Sequence, residues 1–403
     1  MTDPSGVRVS GPLKPYAGGF AAELGRQGYA QLSAASQMRL TAHVSRWLAG
    51  RGLDATGLTP LAIEAFLAAR RAAGYSRYRS PRALAPLLEY LRGLGATPPA
   101  PPAVAATPVE ALLERYRRYL TAERGLHAAT ARGYAHLVRP FLAARATAGG
   151  LDLESLTALD VTSFVLAECS RRSSGSLKLM VSALRSLLGY LHSEGVLAAS
   201  LAATAPAVAG WRLAGLPRAL EAGQVRRLLA GCDQGAAVGR RDFAILALLS
   251  RLGLRAGEVA ALELDDIDWR AGEMVVRGKG DRQERLPLPV DLGEAVVAYL
   301  RGGRPRAAGC RSVFVRARAP HRPLTPGAVT AIVSAAGRRA GLPPISAHRL
   351  RHTAATEMLR AGAPLTEIGQ VLRHRHLLST AIYAKVDRKS LRTLARPWPG
   401  AAA

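Results

Sequence analysis

Long apolar runs are missing from this chain. No stretch approaches the ~20 consecutive apolar residues that a spanning helix needs, although 49% of its 403 residues are hydrophobic. The first thirty residues, MTDPSGVRVSGPLKPYAGGF and onward, also lack the charged start and apolar centre of a secretory signal. A soluble, cytoplasmic protein is the expectation. Cysteine is scarce: Cys169, Cys232 and Cys310 are far apart and odd in number, a pattern that argues against a disulfide framework and suggests no zinc site. Aromatic residues make up only 5%, too few for a surface that stacks unpaired bases. The most telling shortage is of acids. Asp and Glu number 29 against 55 Lys and Arg, leaving a formal net charge of +26 and a pI near 11.2. A charge of that size implies a polyanionic partner, and nucleic acid is the common one; the low aromatic content favours duplex over single strands.

Lysine is rare within the basic set, occurring only at Lys14, Lys178, Lys279, Lys385 and Lys389. A Lys in the glycine-flanked turn GKGD is therefore notable. Arg would supply positive charge there equally well but does not readily give up a proton.

At this length two or three domains are expected, each with its own core. A helical segment runs from about Gly18 to Gly95, followed by ATPPAPPAVAATP, a proline-rich semi-rigid spacer. A second helical segment covers about Val109 to Ala203, and a looser connector leads to a final domain near residue 217. The boundaries expected are 1–100, a linker at 101–108, 109–205, and 215–403. The two helical segments resemble one another. GLDATGLTPLAIEAF, from Gly52 to Phe66, aligns with GLDLESLTALDVTSF, from Gly150 to Phe164, at an offset of 98; Leu84, Leu87, Leu88, Tyr90 and Leu91 align with Leu184, Leu187, Leu188, Tyr190 and Leu191 at an offset of 100. The shared residues are mostly apolar and so specify a core.

The final domain reads as mostly helical with a small sheet. MVVRG and RLPLP alternate around GKGD, a hairpin signal that puts Lys279 on the loop between two strands. Thr325 caps a helix, and Ser346 can cap the one containing HRLRH. TAATEMLRAGAPLTEIGQVLRH reads as a helix-turn-helix with Gly362 in the turn. His348 and Arg351 are three residues apart, one turn of one helical face. His374 follows, and nine residues later Tyr383, in a run opened by Ser379 or Thr380. Imidazoles, guanidinium forks and a phenol are what a metal-free attack on a phosphodiester requires: a nucleophile, charge-fixing donors and proton carriers.

Arg255 in RAGE, Lys279 in GKGDRQERLPLP, His348 to His352 in HRLRH, His374 closing LRH, and Tyr383, in this order and spacing, resemble the tyrosine recombinases, also called phage integrases, over roughly residues 215 to 390. The resemblance implies a mainly α fold with a small β-sheet in the catalytic domain, preceded by SAM-like core-binding helices at 109–203 that grip DNA, with residues 1–100 a second module of related fold. It implies a site-specific DNA recombinase that forms a 3′-phosphotyrosyl bond on Tyr383 and reseals it without metal, cofactor or ATP. Four protomers would act on two duplexes of double-stranded DNA, with accessory factors as further partners. Arg255 and Arg351 would hold the scissile phosphate and bring the phenol, whose ordinary pKa is about 10, into reach of ionisation. His348 and His374 would hydrogen-bond the same phosphate, one of them taking the phenolic proton. Lys279 would be the general acid toward the departing 5′ oxygen. Glu258 would position Arg255, and His352 is expected to be a packed imidazole. Leu391 and Leu394 in the tail would dock on a neighbouring protomer.

One departure concerns the residue before the second His. The family usually has Gly there, whereas this chain has Arg373, so a left-handed turn is not expected at 373 and the charge is free to meet DNA backbone. Three rival readings remain at this stage: a helix-turn-helix regulator without chemistry, a type IB topoisomerase or resolvase using the same chemistry, and a metal hydrolase built on His348 and His352. The last lacks the Glu of a zincin helix, since Arg349 follows His348.

Overall fold

The computed structural model describes residues 6–99, 107–209, 219–278 and 283–373, with 380, 382 and 383. The chain forms two compact units, one of residues 100–214 and the other of residues 1–99 together with 215–403.

The first module consists of α1 (Lys14–Arg26), α2 (Gln31–Ala49), α3 (Pro60–Ala72) and α4 (Pro81–Gly93). Proline at the first turn opens α3 and α4, where its missing N–H leaves no intrahelical bond unmade. Phe20, Leu24, Val44, Leu48, Phe66, Leu67 and Leu91 fill its core. An exposed pair, Glu89 Oε2 and Arg322 Nη2 at 2.6 Å, links this module to the final domain of the same unit.

The 100–214 unit holds α5 (Pro108–Ala122), α6 (Ala128–Ala143), a two-residue hairpin β1 (Ala146–Thr147) and β2 (Gly150–Leu151), α7 (Ala158–Cys169) and α8 (Ser174–Ser193). Its aligned segment opens a helix in the same way as that of the first module. Thr59 caps α3 by accepting from the Ala62 N–H, and Thr157 caps α7 by accepting from the Asp160 N–H, both at 3.3 Å. Leu84, Leu87, Leu88 and Leu91 are buried on α4, as are Leu184, Leu187, Leu188 and Leu191 on α8. The aligned residues therefore do the same work in both segments, a cap and a leucine face.

The final domain runs through α9 (Ala222–Ala230), α10 (Ala237–Arg251), α11 (Ala256–Ala261), a three-stranded antiparallel sheet of β3 (Ile267–Asp268), β4 (Glu273–Arg277) and β5 (Gln283–Pro287), then α12 (Val290–Gly302), α13 (Pro326–Arg339), α14 (Ala347–Arg360) and α15 (Leu365–Val371). The fold is the mostly helical one with a small sheet that the sequence leads one to expect. β4 and β5 pair from Glu273↔Pro287 to Arg277↔Gln283, which confirms the hairpin; Lys279, which falls between the two strands in sequence, lies outside the described residues. Helix α10 is buried over most of Arg241 to Ser250 and forms the spine of the core against α12 and α14. Gly362, at φ +95°, makes the turn between α14 and α15, giving the helix-turn-helix. Ser346 precedes α14, but its side chain makes no capping bond; the first turn closes on its carbonyl through the Arg349 N–H at 3.0 Å. Among the described residues no helix is long and apolar enough to cross a membrane.

Candidate active site

The site begins at the loop between α10 and α11. Gly253 has φ +59°, and a Cβ there would meet Leu372 at 2.5 Å, so only glycine lets this backbone approach the end of α15. The approach brings two carbonyls, of Gly253 and Leu372, within reach of Arg351 on α14. Arg351 Nη1 donates to the Gly253 carbonyl at 2.6 Å and Nη2 donates to the Leu372 carbonyl. Arg351 is only 3% exposed. Burial, then Arg255 and Arg373, disfavour its charge and bring its pKa down to about 10.

Arg255 stands immediately before α11. Its Nη1 donates to Glu258 Oε1 at 2.5 Å, its backbone N–H donates to Glu258 Oε2 at 2.8 Å, and its Nη2 donates to the Arg373 carbonyl at 3.0 Å. The Arg255 side chain keeps 40% of its surface while that of Glu258 keeps 3%. Glu258 thus fixes an arginine that still faces outward. Its second oxygen is shared with Arg373 Nη2, at 2.7 Å. Burial opposes ionisation of Glu258, but Arg373 and Arg255 outweigh it and hold the carboxyl below the usual carboxylate value.

Arg373 departs from expectation in two ways. Its φ is +55°, so the left-handed turn forms without glycine, and its side chain is buried on Glu258 instead of lying free for DNA. The physical reason is visible in its partners. It is the second residue past the end of α15, just after the cap residue Leu372, where a left-handed turn ends many helices. Its N–H donates to the Gln370 carbonyl at 2.8 Å, and the ion pair with Glu258 offsets the ~1–2 kcal/mol that a Cβ costs in this conformation. Arg373 Nε has no hydrogen-bond partner among the described residues. The cluster therefore sets three guanidiniums, those of Arg255, Arg351 and Arg373, against the single carboxylate of Glu258. Such a cluster is short of negative charge.

Tyr383 lies beside it. Its N–H donates to the Thr380 carbonyl at 3.0 Å, closing one turn, and its ring packs with Ala355, Ile368 and Leu372. The phenol is 2% exposed. Its oxygen is 2.8 Å from His352 Nδ1; with the phenol donating, Nδ1 accepts and Nε2 carries the ring proton. The sequence suggested a phenol brought toward ionisation by arginines. The structure reverses the sign: burial pushes the Tyr383 pKa up to about 12, with Arg351 opposing, because the ring is seated in an apolar cluster. His352 is pulled down to about 4 by burial, His348 and Arg351. His348 stands one turn earlier on the exposed side of α14, its ring centroid 4.3 Å from that of His352, and its pKa is lowered by burial, Arg351 and Arg255. His352, expected only to pack, is hydrogen-bonded to the Tyr383 oxygen. The available signal was its position four residues after His348, on the same face of α14.

Arg255, Glu258, His348, Arg351 and Tyr383 thus converge, joined by Arg373 and His352. His374 lies outside the described residues, as do Ser379, Leu391 and Leu394. Among the described residues no group of three or more His, Cys, Asp or Glu is placed to hold a metal ion.

Residues 218–390 match the phage integrase family, and residues 113–195 match the phage integrase N-terminal SAM-like domain. The integrase/recombinase-type protein y4rA of Sinorhizobium fredii is 42% identical over 97% of this chain and 96% of its own length. Tyrosine recombinase XerD of Listeria monocytogenes is 31% identical over 70% of this chain and 96% of its own. Among solved structures, the XerH site-specific recombinase bound to a palindromic difH substrate superposes with a TM-score of 0.56 at 18% identity, over 84% of this chain and 95% of that one. A lambda integrase tetramer bound to a Holliday junction gives 0.54 at 18%, over 84% and 87%. These two likenesses show the fold; the sequence matches go further, and by them the chain belongs to the phage integrase family, the tyrosine recombinases.

Proposed function

We propose that this chain is a site-specific recombinase that cuts and rejoins duplex DNA through a covalent bond between Tyr383 and a 3′ phosphate. The observation that carries the reading is the placement of the Tyr383 hydroxyl, on His352 and beside an arginine cluster with room for a further anion beyond the Glu258 carboxylate. A scissile phosphate supplies that anion. Arg255, outward-facing and fixed by Glu258, takes one non-bridging oxygen. Arg351 serves the other by exchanging a backbone carbonyl for phosphate, and both bind the pentavalent transition state more tightly than the ground state as its oxygens gain charge. His348, exposed on the same helix face, donates to the phosphate. Lys279 and His374 keep the roles the family resemblance gives them, general acid toward the 5′ oxygen and phosphate ligand.

In the DNA-free arrangement the chemistry is switched off by acidity. Burial raises the pKa of the phenol and lowers that of the imidazole, so moving the proton between them is uphill. An arriving phosphate changes both sides of that comparison: its charge favours imidazolium at His352, and drawing Tyr383 out of its apolar cluster lets the phenol ionise. His352 then accepts the phenolic proton as the phenolic oxygen bonds to phosphorus and the 5′ oxygen leaves. Attack by a 5′ hydroxyl of another strand reverses the step, so the phosphodiester's energy is conserved. Residues 109–205 bind the duplex, as does the catalytic domain, and four protomers pair two duplexes; the lambda integrase of similar fold is a tetramer bound to a Holliday junction.

The test is a nicked duplex carrying the cognate site, from which the cut strand's short end is lost so that religation fails. A protease-sensitive protein–DNA adduct forms with the native chain and not with Tyr383→Phe. Absence of adduct from the native chain on every candidate site of the element that encodes it would reject the reading. Strand exchange between two duplexes, as opposed to relaxation of a supercoiled circle, then separates recombination from topoisomerase action.

A further inference from the structure

The first module contains a cleft of its own, of about 320 Å³, between α2, α3 and the loop that follows α3. Ser36, Arg39 and His43 line it from α2, Arg70 from α3, and Tyr75 and Arg77 from the loop; no carboxylate lines it. Arg39 and Arg77 stand exposed at the rim, while Arg70 is 8% exposed on the floor. The floor arginine is poorly satisfied. Its Nε and Nη2 donate to the Arg77 carbonyl at 3.4 and 3.3 Å, long for such bonds, and its Nη1 has no hydrogen-bond partner among the described residues. A buried cationic donor without an acceptor is costly and uncommon in folded proteins.

The surroundings of Arg70 are arranged around it. Its guanidinium carbon lies 4.1 Å over the Tyr75 ring, and His43 meets the same ring edge-on at 5.4 Å. Gly74 at φ +79° and Tyr78 at φ +56° turn the loop back over α3, and Arg71 Nη1 ties it down at the Arg79 carbonyl, 3.3 Å away. Tyr75, 41% exposed, is the cover on the floor arginine. His43 is held toward its neutral form by burial, Arg46 and Arg70, so it adds a hydrogen-bonding group without a fixed charge.

We propose that this cleft is a phosphate-binding site through which the first module grips the backbone of duplex DNA, with Arg70 supplying Nη1 from the floor and Arg39 and Arg77 closing on the phosphate from the rim. Three arginines without a carboxylate define an anion site, and the spare Nη1 gives that anion a buried donor. His43 completes the donors available to phosphate oxygens, since the Ser36 hydroxyl already donates to the Leu32 carbonyl at 2.8 Å. The contact is to backbone and not to base edges, so it adds affinity and register without reading sequence. Only the choice of DNA as the source of the phosphate rests on the recombinase reading.

The experiment uses the full chain and measures affinity for a labelled duplex, long enough to extend beyond the core site, across a salt series. The rim variant Arg39→Gln/Arg77→Gln is compared with Arg8→Gln/Arg26→Gln, which removes the same charge from exposed positions outside the cleft. The rim variant is expected to bind about tenfold more weakly near physiological salt, and to lower the slope of log affinity against log salt by roughly 2, as two lost phosphate contacts require; the control keeps both. Equal behaviour of the two variants would overturn the proposal. So would protection of the native chain by inorganic phosphate, lost in the rim variant, with no change in duplex affinity: that marks a free-phosphate site. Unchanged DNA binding with impaired assembly of protomers would point to an acidic protein segment and also overturn it. Tyr383 is intact throughout, so adduct formation at saturating duplex reads the recombinase claim separately.

Discussion

Glu258 and Arg373, 115 residues apart in sequence, meet at 2.7 Å in the interior of the final domain. Through this pair one carboxylate serves two arginines, locking the start of α11 to the end of α15 and holding Arg255 in place for its task. The pair explains how a non-glycine residue keeps a left-handed backbone at 373.

That geometry ranks two substitutions. Glu258→Gln leaves three guanidiniums without a counter-charge and is expected to destabilise the protein by about 3–5 kcal/mol. Arg373→Gly removes the pair but also one cation and the backbone strain, so its cost is expected to be smaller, about 1–2 kcal/mol. Denaturant unfolding of the two variants checks the order; Arg373→Gly being the worse would contradict it.

His352→Ala tests the proton path. Loss of a positioned acceptor is expected to slow adduct formation by about 10²–10⁴-fold, with duplex affinity nearly unchanged. Single-turnover rates on the nicked duplex measure it. An unchanged rate would assign the proton to another group.

Stability should fall on mild acidification. His352 has a folded-state pKa of about 4 against about 6.5 in the unfolded chain, so between those values the unfolded state binds more protons and stability rises with pH. Going from pH 7 to pH 4 should cost about 2–3 kcal/mol from this residue, allowing for its partial exposure. His348 shifts in the same direction. Unfolding free energies at the two pH values test this, and His352→Ala should flatten the difference. At the other extreme, Tyr383 ionises more readily unfolded than folded, so its contribution should disappear as pH rises from about 10 to 12.

The arginine cluster should respond to anions. Phosphate or sulfate that fills it binds only the folded chain and should stabilise it by about 2.7 kcal/mol at a hundred times its dissociation constant. Thermal unfolding across an anion series, with Arg255→Gln for comparison, gives the answer. Arg255→Gln is expected to reduce the protection; equal protection in that variant would place the anion elsewhere.

Much of this was legible from residue types and spacing. The leucine faces of α4 and α8, the Thr325 cap, the β4–β5 hairpin and the turn at Gly362 all follow from local chemistry that the chain carries in contiguous stretches. The convergence of Arg255, Arg351 and Tyr383 could be suggested by order and spacing, because those residues resemble a known set. What sequence could not convey was the state of each group. Whether Arg373 faces DNA or Glu258 depends on a partner more than a hundred positions away. Whether Tyr383 is exposed or sealed depends on Ile368, Leu372 and Ala355, residues that look like ordinary core. His352 was undervalued for the same reason: its partner is 31 residues distant, and its place four residues after His348 was the one nearby mark.

The most direct measurement is the identity of the residue that becomes joined to DNA. Protease digestion of the trapped adduct, followed by mass analysis of the nucleotide-linked peptide, is expected to give one peptide spanning Tyr383, with the phosphate on its phenolic oxygen and a 5′ hydroxyl on the released strand. A linkage at any other residue, or a 5′-phosphate on the released strand, would contradict the account.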